Sequence, residues 1–367
     1  MRIKRSLSAL SVAVLTGVLS SAYAKDTGYL FVSSEKDNII SVLDGETYEV
    51  VKQIGTAARP RHLQFNPEHT IIYAACGDGN AVDIIDVAKL ELVNRIAGID
   101  DPEAFDFSPD GKTMYITLED AGALGIINLE QYFAEREEEP ELTVAAASPD
   151  DDDGAQEEEE EGDDDGEEGE LIPGMSTVEV GAEPEGIMVS PDGKTAYVTS
   201  EVANIVHVID TASQELKANI VVGNRPRRFA LTPDQSELWV SNELSGSVTI
   251  INPSNYEIVG TIEFLPPGFR PEDVTPVGIT MTADGATAIV ALGRANHVAF
   301  VDIASREIQD YVLVGNRAWN AKLNRDNSLL YVVNGLSDDI SIIDVADRRV
   351  IKSVPTGRVP YAVLIDD

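Results

Sequence analysis

The chain of 367 residues contains only one cysteine and four histidines. These low numbers argue against a disulfide framework and against sites built from several histidines. Cys76 has no second cysteine to pair with, so no internal disulfide framework stabilises the chain. The histidines (His62, His69, His207 and His297) lack the spacing of a two- or three-histidine metal site, and no Ser-His-Asp arrangement has sequence support. The sequence also has no CxxCH haem signature and no glycine-rich phosphate loop. No catalytic residue is assigned from these patterns.

Basic residues are scarce as well. The chain has 27 Lys and Arg against 64 Asp and Glu, which gives a formal net charge of −37. Residues 134–170 alone hold 20 of the acids and one of the bases. Even without that segment the chain is acidic, which argues against non-specific binding to a phosphate backbone. We therefore expect no nucleic-acid partner.

Long apolar runs are absent beyond the N-terminus. Three basic residues lie within the first five positions, residues 7–19 are mostly apolar, and Ala22-Tyr23-Ala24 is a small-x-small cleavage pattern. This order predicts a secretory signal peptide over residues 1–24, because the apolar part is too short for a spanning helix. We expect an exported, periplasmic protein that begins near Lys25 and has no membrane span.

A repeat of 42 residues runs through the rest of the chain. Short apolar segments end on a recurring Asp or Asn, namely Asp44, Asp86, Asn128, Asp210, Asn252, Asp302 and Asp344. Thirteen residues before each of them lies an aromatic or apolar residue, namely Phe31, Tyr73, Tyr115, Tyr197, Trp239, Ile289 and Tyr331. Two steps are longer, at 82 and 50 residues, and indicate insertions. Self-similarity at this period is typical of propellers and solenoids.

One unit, residues 184–223, shows four short β-rich segments separated by turn sequences such as Pro191-Asp192-Gly193. Four strands per unit predict a propeller blade, and seven units predict an all-β, seven-bladed β-propeller over residues 25–367. The chain opens with a second strand (29–34) and ends with a first strand (360–366). We therefore expect the C-terminal strand to join the N-terminal blade and close the ring.

Two insertions interrupt the repeat. Residues 134–173 lie within the third unit and are strongly acidic, so we expect disorder on the hairpin side of the ring. This segment is interpreted as a solvated loop, with a weak cation-binding or docking loop as the alternative. Residues 264–276 are proline-rich and should lie on the opposite face, as a structural flap or as a lid or docking loop.

The connections that gather around a propeller's central channel carry the candidate binding residues. They mix arginine, carboxylate and aromatic side chains: Arg61, His62, Glu103, Glu185, Arg227, Arg228, Arg317, Trp319 and Tyr361. Convergent polar groups at a concave mouth predict a ligand or partner site. Arginines favour a small carboxylate ligand or acidic groups of a protein. A calcium site built from Glu35, Glu201 and Glu243 is a weaker hypothesis, and no resident cofactor is expected.

The segments YVTS (197–200), WVSN (239–242), YVVN (331–334) and SPDGKT (190–195) resemble the YVTN-repeat β-propeller family. The resemblance covers the chain after the signal peptide, apart from the acidic insertion. Residues 183–201, 225–234, 275–302 and 310–320 are similar to a narrower subgroup, the exported β-propeller proteins associated with PQQ-dependent catabolism. The resemblance implies an accessory role beside periplasmic quinoprotein dehydrogenases, cytochromes c and ABC-transport components, with PQQ belonging to the partner enzyme.

Three functions remain open from the sequence. The first is a monomeric, non-enzymatic binding protein of a quinoprotein alcohol-oxidation system. The second is a metal-dependent, lactonase-like hydrolase on a propeller. The third is a cell-surface or scaffold protein.

Overall fold

The structure is a computed structural model that describes residues 26–136 and 172–367. It confirms the seven-bladed propeller, in which each blade is an antiparallel sheet of four strands. Blade 1 contains β1 (Tyr29–Ser34), β2 (Ile39–Asp44), β3 (Val50–Gly55) and the last strand, β28 (Pro360–Asp366). Blade 2 contains β4 (Pro60–Phe65), β5 (Ile71–Cys76), β6 (Ala81–Asp86) and β7 (Glu91–Ala97). Blade 3 contains β8 (Pro102–Phe107), β9 (Thr113–Leu118), β10 (Ala123–Asn128) and β11 (Met175–Glu179).

The other four blades follow without a break in the described chain. Blade 4 contains β12 (Pro184–Val189), β13 (Thr195–Ser200), β14 (Ile205–Asp210) and β15 (Leu216–Val221). Blade 5 contains β16 (Pro226–Leu231), β17 (Leu238–Asn242), β18 (Ser247–Ile251) and β19 (Ile258–Glu263). Blade 6 contains β20 (Ile279–Met281), β21 (Thr287–Ala291), β22 (His297–Asp302) and β23 (Ile308–Leu313). Blade 7 contains β24 (Ala318–Leu323), β25 (Leu329–Asn334), β26 (Asp339–Asp344) and β27 (Arg349–Pro355).

The ring closes as predicted, because β28 is the innermost strand of blade 1 and pairs with β1. Tyr29 lies opposite Asp366, and the Asp366 carboxylate accepts hydrogen bonds from the Thr27 amide (2.9 Å) and hydroxyl (2.6 Å). The two ends of the described chain are thus tied into one sheet, which leaves no open edge beside the axis.

The core lies between the blades. The repeated aromatic or apolar residue of each second strand is buried in every blade, from Phe31 to Tyr331. Each of these side chains belongs to a cluster that joins neighbouring sheets. One such cluster holds Leu30 and Val32 of blade 1 together with Tyr331 and Val333 of blade 7. Sheets packed on both faces explain why the second and third strands are almost wholly apolar.

The Asp or Asn that ends each third strand shapes the turn after it. The Asp44 carboxylate accepts hydrogen bonds from the amides of Glu46 (3.0 Å) and Thr47 (2.8 Å). Asn128 uses the same geometry to begin a helix, because its side chain accepts from the Gln131 amide (2.9 Å) at the third residue of α1 (Leu129–Arg136).

Helix α1 was not predicted, since eight residues give too little periodicity to recognise. It covers the first three residues of the predicted acidic insertion. Residues 137–171 of that insertion and the predicted signal peptide lie outside the described residues. Within the described ranges, none of the helices has the length and apolar character needed to cross a membrane.

Candidate functional site

The first strands line the central channel, and a β-bulge near the start of six of the seven aims side chains at its mouth; β20 of blade 6 pairs regularly. In β4 the regular pairing with β5 is interrupted between Pro60 and Leu63, and the same irregularity recurs in β8, β12, β16, β24 and β28. A bulge leaves residues unpaired and turns their side chains. The bulged pairs are Arg61-His62, Glu103-Ala104, Glu185-Gly186, Arg227-Arg228, Trp319-Asn320 and Tyr361-Ala362. Local backbone geometry therefore brings most predicted mouth residues together.

The residue before each of these strands has a left-handed backbone. Arg59, for example, has φ of 56° and Arg317 has φ of 61°. The preceding blade fixes this conformation, because the Asn38 side chain accepts from the Arg59 amide (2.9 Å) and Asn296 accepts from the Arg317 amide (2.9 Å). Such a conformation is costly for a residue with a side chain and persists where the surroundings enforce it. The same hydrogen bond from a backbone amide to a side chain of the preceding blade recurs before the first strands of blades 3, 5 and 1. It fixes where the mouth residues lie along the channel axis.

A charged plug closes the channel at the mouth. We define it as Arg61, Glu185, Arg227, Arg228 and Tyr361. Glu185 lies at its centre, with Oε1 3.0 Å from Arg227 Nη2, 2.8 Å from Arg228 Nη2 and 3.0 Å from the Tyr361 hydroxyl. Glu185 Oε2 lies 3.9 Å from Arg61 Nη1. Because Tyr361 belongs to blade 1 and Glu185 to blade 4, these contacts cross the axis of the ring.

Burial and charge determine the protonation states in the plug. Burial raises the pKa of Glu185, but the guanidinium groups of Arg227, Arg228 and Arg61 outweigh burial and hold the pKa well below its usual range. Burial also raises the pKa of Tyr361, so its hydroxyl stays neutral and donates to Glu185 while accepting from Arg228 (2.6 Å). The plug therefore contains one carboxylate shared by three arginines.

Further ion pairs surround the plug on both sides. Arg227 also contacts Glu201 and lies 3.6 Å from Glu243, and Glu243 in turn lies 3.3 Å from Arg317. On the other side Arg61 contacts Glu103 and lies 3.1 Å from Glu35. Each arginine predicted to bind a ligand at the mouth is thus already paired with carboxylates of this chain.

Two aromatic rings support these arginines. The Arg317 guanidinium lies 4.2 Å from the centre of the Trp319 ring, and that of Arg61 lies 4.4 Å from the centre of the Tyr361 ring. The two rings are 5.7 Å apart. Arginine stacked on an aromatic face is further stabilised by the cation–π attraction, which adds to the rigidity of the mouth.

His62 lies below the plug, inside the channel. Its Nε2 is 3.4 Å from Gln64 Oε1, and its ring packs edge-on against Phe105 at 4.8 Å. Burial, together with Arg228, lowers the pKa of His62 to about 3. His62 is therefore a neutral channel residue. His207 serves the blade itself, since Nδ1 pairs with Asn219 (2.7 Å) and Nε2 accepts from the Gly181 amide (3.0 Å).

Glu35, Glu201 and Glu243 do not assemble into a cation site in the described ranges. Each of the three is held by arginine, Glu35 by Arg61 and the other two by Arg225 and Arg227. The one carboxylate trio there with spacing suited to a metal is Asp101, Glu103 and Glu119.

A guanidinium already occupies the space among that trio. Arg59 Nη2 lies 3.1 Å from Asp101, contacts Glu103 and lies 3.8 Å from Glu119. Arg59 therefore supplies the positive charge that calcium would bring. With Arg59 among them, these carboxylates do not fit a resident metal.

Glu119 lies at the mouth beside Glu103 and Asp101. Burial and the neighbouring Glu103 raise the pKa of Glu119 to about 8. Because the folded pKa exceeds that of the unfolded chain, the proton held by Glu119 stabilises the fold at low pH, and this contribution is lost as pH rises from about 4.5 to about 8.

Glu119→Gln should therefore change the pH profile of stability. We expect the variant to match the wild type at pH 4, below the unfolded pKa, and to exceed it by more than about 1 kcal/mol at pH 8.5, since each pKa unit corresponds to about 1.4 kcal/mol. Urea unfolding at both pH values measures the effect. Glu46→Gln, at an exposed carboxylate, is the control. A constant difference between Glu119→Gln and the wild type across this range would contradict the assignment.

The rim of the mouth face is apolar in several places. Val202 is 60%, Leu244 57% and Leu336 67% exposed, and all three lie in connections between second and third strands. Leu265, in the proline-rich flap, is 52% exposed. Val202 and Leu244 both line a groove of 580 Å³ between blades 4 and 5, which Arg225 also lines.

The flap itself is packed onto the mouth face. The Phe264 amide donates to the Gly246 carbonyl (2.9 Å), and Phe264 and Val274 are buried in the core between blades 5 and 6. The flap thus has a buried base, and Leu265 is exposed beside it.

Sequence reasoning did not select the rim residues or Arg59, Asp101 and Glu119 as site residues. Arg59, Asp101 and Glu119 lie in connections that the repeat does place at the mouth, with Arg59 and Asp101 at the same repeat position 42 residues apart. The exposure of Val202 and Leu244 carries no sequence signal, since apolar residues in a propeller are usually buried.

Two family models match parts of the chain. Residues 5–132 match the YNCE-like beta-propeller model, and residues 213–363 match the lactonase, 7-bladed beta-propeller model. Each match spans less than half of the chain, so together they support a seven-bladed propeller of the YNCE-like and lactonase type. No curated protein matches the chain.

Solved structures share the same fold at low sequence identity. Kuenenia stuttgartiensis hydrazine synthase aligns with a TM-score of 0.70 and 17% identity, over 92% of this chain and 99% of that chain. Dihydro-heme d1 dehydrogenase NirN, in complex with DHE, aligns with a TM-score of 0.64 and 16% identity, over 92% and 75%. A functionally unknown protein from Desulfotomaculum acetoxidans DSM 771 gives 0.68 and 16%, over 92% and 99%. These likenesses concern the fold.

Proposed function

We propose that this chain is a non-enzymatic binding protein that docks a partner protein on its mouth face. One observation carries this proposal. The arginines at the mouth are neutralised by carboxylates of the same chain, while apolar side chains around the mouth are exposed. The mouth arginines are occupied by Glu185, Glu201, Glu243 and Glu103. They are therefore poor anchors for a free carboxylate ligand, whereas exposed apolar groups rimmed by polar ones are typical of protein interfaces.

The partner we propose is a component of an exported quinoprotein alcohol-oxidation system, either the dehydrogenase or its cytochrome c. This part of the proposal comes from the resemblance of residues 183–201 and 275–302 to that subgroup, as does the periplasmic location. The net charge of −37 favours a partner with a basic surface, because complementary charge speeds association. ABC-transport components of the same system are the alternative partners.

Single substitutions of two exposed apolar residues at the rim test the docking proposal. Val202→Asp and Leu244→Asp should each weaken binding to purified quinoprotein dehydrogenase or cytochrome c by at least about tenfold, because each places a charge in the apolar centre of the interface. Val221→Asp, at an equally exposed apolar residue on the outer strand of blade 4, is the control and should bind like the wild type. Wild-type binding to neither protein, or equal losses in all three variants, would overturn the proposal.

A lactonase-like hydrolase is the second candidate, and the match of residues 213–363 to the lactonase propeller model favours it. Assays with γ- and δ-lactones distinguish the two functions. The binding-protein proposal predicts no hydrolysis above the buffer rate, and turnover above that rate by the purified protein would support the hydrolase. Sedimentation should show a monomer, since a large assembly would instead favour a scaffold.

A further inference from the structure

The end of the channel opposite the mouth opens into a pocket of 470 Å³, here called the lower pocket. The innermost strands of blades 1, 2, 3 and 7 line it, together with the hairpin turns that follow β4 and β8. Its principal side chains are Gln64, Phe65, Asp106, Phe107, Lys322 and Leu364. None of these residues belongs to the charged plug or to the rim. A pocket of this size that combines apolar walls with a few polar groups is the usual form of a small-molecule site.

Lys322 is the cationic group of the lower pocket. It occupies the same repeat position as Gln64 and Asp106, the residue of the first strand that faces the channel two places after the bulge. Among the described residues no carboxylate oxygen lies within 4.0 Å of its ammonium group, and no hydrogen bond engages it. The side chain is reachable by solvent inside the channel. Lys322 therefore differs from the mouth arginines, which are all paired.

Asp106, the carboxylate that lines the lower pocket with Lys322, is already occupied by other donors. Its Oδ1 accepts from Gln64 Nε2 (3.0 Å) and from the Phe107 amide (2.8 Å), and its Oδ2 accepts from the Val189 amide (2.8 Å). Burial raises the pKa of Asp106 and lowers that of Lys322. The ammonium of Lys322 thus lacks a close anionic partner among residues 26–136 and 172–367.

The walls around Lys322 are apolar and rigid. Phe65 packs edge-on against Phe31 at 6.1 Å and stacks on His69 at 4.5 Å. Phe107 packs against Tyr73 at 5.0 Å. Two fixed aromatic rings beside one unpaired ammonium offer separate contacts for an apolar body and for an anionic head.

We propose that the lower pocket binds a small organic carboxylate, with Lys322 holding the carboxylate group and Phe65 and Phe107 contacting the apolar part. This site is distinct from the protein-docking face. The plug lies between the two, and the lower pocket is lined by hairpin turns at the other end of the channel.

Benzoate and benzyl alcohol are the test probes, because they share a ring and differ in charge. Calorimetry or ligand-detected NMR on the full protein should show benzoate binding at least about tenfold tighter than benzyl alcohol, as expected for a charge-assisted contact. Lys322→Met should reduce benzoate affinity at least about tenfold, and Lys322→Arg should retain most of it. Lys52→Met, on the exposed outer strand of blade 1, is the control for lost charge.

The variants also separate this proposal from the docking function. Val202→Asp should leave benzoate binding unchanged, and Lys322→Met should leave partner binding and the unfolding midpoint unchanged. Absence of wild-type binding up to about 10 mM benzoate, or equal affinity in Lys322→Met, would overturn the proposal, since a Kd in the millimolar range is the weakest specific binding expected.

Discussion

Replacing Glu185 with Gln is expected to lower the free energy of unfolding by about 3–5 kcal/mol, the typical cost of removing one partner from a buried ionic network. Glu185 is 2% exposed and is shared by Arg61, Arg227 and Arg228. A neutral amide at this position would leave three guanidinium groups close together with less negative charge among them. Urea denaturation followed by circular dichroism measures the change.

The matched control lies two residues earlier. Glu183 carries the same charge in the connection just before β12 but is exposed, and Glu183→Gln should alter stability by no more than about 0.5 kcal/mol. The stability that Glu185 supplies also depends on pH. Because the pKa of Glu185 is depressed in the fold, the stability it supplies is present above the pKa of the unfolded chain, near 4.5, and is lost as pH falls below it. The two variants should therefore converge in acid. Equal stability of Glu185→Gln and Glu183→Gln at pH 7 would contradict a plug built on this carboxylate.

Deleting residues 360–367 is expected to abolish the native fold. The deletion removes β28, which buries Tyr361, Val363 and Leu364 and pairs along the whole of β1. Burying these side chains contributes about 5–10 kcal/mol, which is comparable with the entire stability of a typical domain. The exposed edge of β1 would also favour aggregation.

Size-exclusion chromatography and near-UV circular dichroism test this outcome. The truncated chain should lack native aromatic signals and elute as aggregate, whereas removal of Asp367 alone should leave a native monomer. A truncated protein that elutes as a monomer with wild-type near-UV signals would show that β28 is dispensable for closure.

The fold could be predicted from the sequence because the 42-residue period repeats both a buried aromatic position and a turn-forming Asp or Asn. The closure of the ring also followed from the order of the strands. Because the repeat begins with the second strand of a blade, the first strand of that blade has to come from the other end of the repeat. Helix α1 could not be predicted. It depends on Asn128, whose side chain caps a helix here although its counterparts, such as Asp44 and Asp210, form turns.

The candidate site was only partly predictable. The repeat placed Arg61, Glu185, Arg227 and Tyr361 at one mouth, and the structure brings them together. The contacts between these side chains could not be predicted from the sequence, because Tyr361 and Glu185 are 176 residues apart and meet only across the axis.

Lys322 was missed for a different reason. In the sequence it is an ordinary lysine in a β-strand. Its significance comes from blades 2 and 3, whose Gln64 and Asp106 line the same pocket and bond each other, so that no described residue pairs with the Lys322 charge. Such a feature depends on side chains from distant segments rather than on a pattern within one repeat.

The most direct test of the central claim, that the plug joins opposite blades across the channel, is a double-mutant cycle between Glu185→Gln and Tyr361→Phe. Tyr361→Phe removes only the hydroxyl that lies 3.0 Å from Glu185 Oε1. We predict a coupling free energy of about 1–2 kcal/mol, as found for residues in one hydrogen-bonded network. Additive effects, with coupling within about 0.3 kcal/mol of zero, would mean that the two residues do not meet and would contradict the closed mouth.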